Sequence, residues 1–239
     1  MIKEGEVIFN NNSSLSLNLF LEAYPSVPIT TEEYEEIKVE GRSGNLIINK
    51  GTYPDKKITF SFTFLSPQIE IDFDNVYQWL TEIEDNRLIW GRSDRCYLVK
   101  KVVLGDLQKE FKSIGEFDVT FICEPFSQDL EESEVAIHTD NKTVSYLGTA
   151  EGRPLIKMNI VGGAYITCNG VRMEIYNGNG VITIDSQLMQ VRDSNGNSKD
   201  QDTTGDFITL QKGNNVFGYG VMNGGQIKSI KVYYTNLYK

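Results

Sequence analysis

One histidine, His138, and three scattered cysteines, Cys96, Cys123 and Cys168, are all that the 239 residues offer of the side chains that most often hold zinc. No two of the cysteines form a CxxC pair, so neither metal nor cofactor is expected. Few, unpaired thiols fit a reducing compartment, where they serve as small buried apolar groups. The lone histidine also leaves little support for a Ser-His or Cys-His nucleophile. No GxSxG elbow is present either. No apolar run approaches the roughly 20 residues that span a bilayer. The opening MIKEGEVIFNNNSS lacks an apolar signal core, so neither a membrane nor signal-driven secretion is expected. The sequons at Asn11, Asn12 and Asn141 then carry little weight.

Positive charge is the other shortage. Against 33 acidic residues stand 23 basic ones, a net charge of −10. That balance argues against a protein that grips nucleic acid by its phosphates. It suits solubility, and it suits a surface past which DNA slides without sticking. Two stretches that look like ligand sites lack the parts they need. Gly91-Arg92-Ser93-Asp94-Arg95 has neither the following helix nor the lysine of a phosphate loop. Asp193 to Asp200 places Ser198 and Thr204 where a calcium loop needs glycine and glutamate. Both read as ordinary loops, and no residue constellation points to an enzyme.

What is abundant is β-forming material. Twelve tyrosines and twelve phenylalanines stand beside 21 glycines, which favours strands and turns over a helical bundle. The chain is organised around Val39 to Leu65. A turn, Gly41-Arg42-Ser43-Gly44, leads into a short apolar segment, and a second turn follows at Gly51 to Asp55. Then Ile58, Phe60, Phe62 and Phe64 alternate with Thr59, Ser61 and Thr63. Period two puts the phenylalanines on one face of a strand, which must be buried. A helix is expected over Gln68 to Trp90, capped by Asp72 or Asp74, with Val76, Trp79, Leu80 and Ile83 as the stripe that covers this face.

Other strands are expected at Glu6–Phe9, Leu15–Leu21, Cys96–Leu104 and Glu116–Cys123, the last ended by Pro125. Pro25 and Pro28 mark a loop, and Thr30 to Glu36 reads as a short helix or a solvated arm. Acidic Gln128 to Glu134 reads as a linker, which puts one domain at 1–130 and a second at 131–239. Beyond it, Gly-Gly and Asn-Gly steps separate short runs, at Pro154–Val161, Tyr165–Cys168, Val171–Tyr176, Val181–Ile184, Leu188–Val191, Phe207–Leu210, Asn215–Gly220 and Ile230–Thr235. Such spacing reads as an antiparallel sandwich, with Asn169-Gly170 as a two-residue hairpin turn. The fold class is mainly β: two β-sandwich domains, the first with one α-helix.

The order of these motifs resembles the distal tail protein family of long-tailed bacteriophages of Gram-positive bacteria. The likeness rests on Gly41-Arg42-Ser43-Gly44, the strand Ile58–Leu65, Trp79-Leu80, and Gly115 to Phe121 followed by Pro125-Phe126. It continues through Gly148 to Pro154, Ile182 to Ser186, Gly205 to Leu210 and Gly213-Asn214-Asn215. Ser43 departs from it, since the family often has aspartate there; a polar residue between glycines still suits a turn. The resemblance implies a first domain that closes, in six copies, into a ring, and a galectin-like or carbohydrate-binding-module-like second domain. It implies a hub at the virion tail tip, made in the host cytoplasm and encoded by a phage or prophage. The expected partners are other copies of the chain, the major tail tube protein, a tail-associated lysin or tip protein, and in some phages receptor-binding proteins, with DNA passing through the centre. The alternative is a glycan-binding sandwich that recognises bacterial wall polysaccharide through Tyr165, Tyr176, Phe217, Tyr219, Tyr233 or Tyr234.

Overall fold

A computed structural model describes residues 3–239, with the backbone alone for 109–111. The chain divides into two compact units, one running to Leu130 and the other Glu131–Tyr238, while Lys239 groups with the first.

In the first unit the aromatic strand is Lys56–Leu65, with Ile58, Phe60, Phe62 and Phe64 all buried. It pairs antiparallel with Ile114–Asp129, setting Phe60 opposite Val119 and Phe62 opposite Phe117. The sheet order is Asn12–Ser13, Val7–Phe9, Arg87–Trp90, Arg95–Leu104, Ile114–Asp129, Lys56–Leu65, Leu19–Leu21. Phe9 nevertheless meets Phe121, three strands away, with ring centroids 5.0 Å apart. The sheet therefore curls over onto itself, and the one α-helix fills its mouth. Each fully buried phenylalanine contributes roughly 1.5–3 kcal/mol by leaving water.

That helix is Ile69–Thr81, shorter than the sequence suggests. Its first turn already contains Asp72, so neither aspartate is the cap; Ser66 Oγ bonds Asp72 Oδ2 and accepts the Gln68 amide at 3.0 Å. Ile69, Val76, Trp79 and Leu80 face the core, whereas Ile83 lies past the helix end and is 38% exposed. The end is set from outside. Asn10, held at φ 48°, donates to the carbonyls of Trp79 and Glu82 and accepts the amides of Glu84 and Asp85. Trp79 Nε1 in turn donates to the Phe9 carbonyl at 2.7 Å. Orphan groups at a helix terminus need such partners. Residues Arg87–Trp90, expected to be helical, form a strand between Val7–Phe9 and Arg95–Leu104.

Two further expectations are corrected here. Leu15–Leu21 is a 3-10 turn, Ser14–Leu17, and a strand Leu19–Leu21, broken where Asn18 turns left-handed at φ 56°. Pro125 does not end its strand. Ile114–Asp129 runs through it, and its pairing to Arg95–Leu104 slips between Cys123↔Val99 and Ser127↔Tyr97. A bulge tolerates a residue with no ladder donor.

The second unit is built on three long antiparallel strands, Leu155–Cys168, Val171–Asp185 and Gly213–Tyr234. Six of the short runs expected from sequence are halves of these three. Gly213 to Phe217 pair with the strand Lys142–Tyr146, while Lys231 to Tyr234 pair with Ser133–Ala136, so the two halves of one strand take different partners. The bend falls at register shifts around Gly162, Gly163 and Gly225. A Cβ on Gly225 would run into the Gly163 carbonyl oxygen, so the close backbone approach requires glycine. Sequence reads these glycines as turns; they are corners inside strands. Asn169-Gly170 does form the tight hairpin, with φ 51° and 88°. Phe207–Leu210 is not a strand but an isolated bridge, Gly152 to Leu210, that buries Ile208 and Leu210. The run Leu188–Val191 shifts to the strand Gln190–Asp193.

Tyr146 is the largest fully buried side chain of this unit. Residues Gly148 to Gly152 wrap its ring, and a Cβ on Gly152 would sit 2.7 Å from ring carbon Cε2. Its hydroxyl accepts the Leu237 amide at 3.0 Å, and the Thr149 and Ala150 amides donate to the Leu237 carbonyl.

All three cysteines are buried and free. Burial pushes the thiols of Cys96 and Cys168 up to about 11 and that of Cys123 up to about 12.

Three outcomes are expected. Asn10→Ala removes four hydrogen bonds and should cost about 2–3 kcal/mol in urea unfolding, with Asn10→Asp, which keeps the acceptor, costing less. Gly152→Ala should cost roughly 1–3 kcal/mol by overpacking the Tyr146 ring, read as a lower thermal midpoint. A thiol reagent at about pH 8 should leave the native protein unlabelled and modify all three cysteines after unfolding in urea, because the thiolate is the reactive form.

Candidate functional site

Every residue from Thr31 to Thr52 is exposed. Within this span Tyr34–Ile37 pairs antiparallel with Leu46–Asn49, as a two-stranded sheet separate from the rest of the unit. The sequence allows a helix or a solvated arm here; the arm is what forms, as a β-hairpin. Paired residues share a face, so Ile37, Leu46 and Ile48 stand together with Glu35, while Tyr34 and Ile47 stand with Glu36 and Asn49 on the other side. Ile47 is 61% exposed and Tyr34 57%. β-branched and aromatic residues fit a pleated surface that is half buried, yet among the described residues nothing buries either face.

The predicted turn residues Gly41, Arg42, Ser43 and Gly44 form the tip. Gly41 and Gly44 sit at φ 76° and 83°, where a side chain is rarely tolerated. The Arg42 amide donates to the Val39 carbonyl at 3.2 Å, and Asn45 Nδ2 bonds Glu36 Oε2 at 2.8 Å. At the root, the Lys50 amide donates to the Glu33 carbonyl at 2.9 Å, and Thr52 Oγ1 reaches the Glu33 carboxylate at 2.7 Å. Five glutamates, at 32, 33, 35, 36 and 40, against Lys38, Arg42 and Lys50, leave the arm acidic.

Both feet of the arm stand on the Pro125 bulge. Thr30 Oγ1 donates to the Pro125 carbonyl at 3.0 Å, and the Tyr53 ring packs edge-on against Phe126 at 5.0 Å. Lys100 joins Asp55 at 2.8 Å and Glu124 at 3.3 Å, an exposed cluster that holds its amine above the ordinary lysine range, Asp55 first. Sequence reasoning treats Pro125 as punctuation; a proline inside a long alternating run was the available signal for a bulge.

The outer face of the same sheet is polar. Thr59 and Thr120 share a hydrogen bond of 2.8 Å, Ser61 donates to Asp118 at 2.6 Å, and Thr63 donates to Glu22 at 3.2 Å. Glu22, Asp106, Glu116 and Asp118 border a shallow open hollow of about 250 Å³. Among the described residues no three His, Cys, Asp or Glu side chains are placed to hold a metal ion. No helix of the described residues is long and apolar enough to cross a membrane.

In the second unit the candidate sugar platform is largely occupied by the protein itself. Phe217 is fully buried. The Arg172 guanidinium lies 3.7 Å from the centroid of the Tyr165 ring, and a Cβ on Gly220 would strike that ring. Lys157 sits 5.0 Å from the Tyr233 ring centroid. The hydroxyls of Tyr219 and Tyr234 donate to the carbonyls of His138 and Ser145, each at 3.0 Å. Tyr176 is exposed, with its hydroxyl on Glu174 at 2.7 Å. That bond, and then Arg172, hold the Glu174 carboxyl below its usual value. The Asp193 to Asp200 segment is a hairpin loop in which Asp193 Oδ1 accepts the Asn195 and Asn197 amides.

No protein-family model matches the sequence, and no curated protein matches it. Solved structures do. The SPP1 Dit protein (gp 19.1), described as a paradigm of the hub adsorption apparatus in phages that infect Gram-positive bacteria, is similar over 98% of this chain and 99% of its own. The TM-score is 0.70 at 13% sequence identity. Over nearly its whole length, this chain has the mainly β fold of a phage distal tail hub protein.

Proposed function

We propose that this protein is a structural hub of a phage tail tip, not an enzyme, and that six copies close into a ring between the tail tube and the tip or baseplate. The fold likeness supports the tail-tip role. The observation that carries the ring is the arm Tyr34–Asn49, whose Tyr34, Ile37, Leu46, Ile47 and Ile48 side chains are exposed. A two-stranded hairpin is marginal by itself in water and needs a surface to pack on. A ring joins unlike surfaces of successive copies, so an arm projecting from one copy onto the next suits it. In this reading the ring-forming domain is 1–130, the galectin-like domain is 131–239, and the Gly41–Gly44 tip touches the neighbouring copy or the tube protein.

The other partners are the major tail tube protein, a tail-associated lysin or tip protein, and receptor-binding proteins. The polar face with Glu22, Ser61, Thr63, Glu116 and Asp118 suits a channel wall: it repels phosphates, so DNA passes without adhering. The setting is the virion tail tip of a phage or prophage, after synthesis in the host cytoplasm.

Light scattering and negative-stain microscopy test this, on the protein alone and mixed with its tube and tip neighbours. A ring with a central hole is expected. Ile37→Ser with Leu46→Ser and Ile48→Ser should abolish rings while leaving the urea midpoint within about 0.5 kcal/mol of the parent, as for exposed positions. A parent protein that stays monomeric at every concentration and with both neighbours, or rings that survive the triple substitution, would overturn the corresponding part of the proposal.

A further inference from the structure

Five Asn-Gly steps occur in the second unit, at Asn169, Asn177, Asn179, Asn195 and Asn223. Asparagine is chemically labile, and a following glycine offers no Cβ to block attack on its side chain. We infer that Asn223 is the site at which this protein forms a cyclic imide and, with water as co-reactant, converts asparagine to aspartyl and isoaspartyl products.

The five steps share a sequence but not an environment. Asn169 is tied at both ends of its amide: Nδ2 donates to Asn215 at 2.9 Å and Oδ1 accepts the Val216 amide at 2.9 Å. Asn177 donates to Asp202 at 2.9 Å. Asn177-Gly178 and Asn179-Gly180 also lie inside the ladder, where Gly178, Asn179 and Gly180 face Gly162, Val161 and Ile160. At Asn195 the attacking group is engaged, since the Gly196 amide donates to the Asp193 carbonyl at 3.0 Å.

Asn223 differs in its side chain and in its pairing. The pairing jumps from Gly163↔Met222 to Val161↔Gln226, so Asn223, Gly224 and Gly225 bulge out with only Gly162 opposite them. Asn223 and Gly224 are exposed, at φ 51° and 74°. No side-chain hydrogen bond holds Asn223 among the described residues. Its backbone can therefore turn to present Cγ to the Gly224 nitrogen without breaking paired strands.

In the step itself, the Gly224 nitrogen bonds to Asn223 Cγ and the Cγ–Nδ2 bond breaks. Nδ2 leaves as ammonia, carrying the proton lost from the backbone nitrogen. Water then opens either carbonyl of the five-membered ring. One product keeps the normal chain and gains a carboxylate. The other runs the chain through the former side chain and is longer by one carbon, next to the tight approach of Gly225 to Gly163.

Peptide mapping by mass spectrometry, after incubating the full chain in mildly alkaline buffer, tests this. Conversion should concentrate in the peptide that carries Asn223 and vanish from it in Asn223→Gln. The Asn169 peptide should convert roughly tenfold or more slowly, because two hydrogen bonds must open first. The same incubation in urea should bring all five steps to similar rates. Faster conversion at Asn179 or Asn195 than at Asn223 in the folded protein would overturn the inference. So would a folded protein that stays unconverted while the urea sample reacts.

Discussion

A row of phenylalanines on one strand creates a demand that the first unit is built to meet. Phe60, Phe62 and Phe64 are buried because two different things cover them: the helix Ile69–Thr81 and the sheet's own far edge. The rings pack edge-on where geometry allows, Phe60 against Phe121 at 5.6 Å and Phe73 against Phe117 at 5.2 Å, the arrangement aromatic quadrupoles prefer. The helix must stop where the sheet edge returns, and Asn10, from that edge, is the residue that stops it. Helix length, sheet curvature and N-terminal strand are thus consequences of one buried face.

The arm is the counterpart of that economy. Apolar residues are normally spent on the interior, and single exposed ones need no explanation. A hairpin with Tyr34, Ile37, Leu46, Ile47 and Ile48 all in water is a different matter. Its root is firmly made, through Thr30, Tyr53 and Asp55 on the bulge at Pro125. A well-seated base under an uncovered blade fits the proposed contact with a neighbouring copy.

How much of this the sequence discloses depends on the length scale. Period-two alternation places Phe60, Phe62 and Phe64 on a buried face, because burial on one side of a strand leaves a local mark. The Gly41–Gly44 turn is equally legible, since positive φ selects glycine. The helix end is not: it is imposed by Asn10, some seventy residues upstream, and a cap from another element leaves no trace in the helix. The glycines at 162, 163 and 225 mislead for a related reason. A turn and a strand corner both need glycine, and only the pairing of a distant strand tells them apart. For the arm, sequence leaves helix and extended chain open because Thr30 to Glu36 lacks alternation; the pairing with Leu46–Asn49 decides.

The Tyr146 clamp sets an order of events. Its ring is enclosed by residues 148–152, but its hydroxyl closes on Leu237, 91 residues later. During synthesis the strand Lys142–Tyr146 leaves the ribosome long before Gly213–Tyr234, its pairing partner, and before the Leu237 amide exists. Contacts so far apart in the chain form late. The clamp therefore cannot close until the Leu237 segment has been made. Until Gly213–Tyr234 follows, the local hairpin of Leu155–Cys168 and Val171–Asp185 has one edge uncovered, and in that interval it is open to the wrong partners.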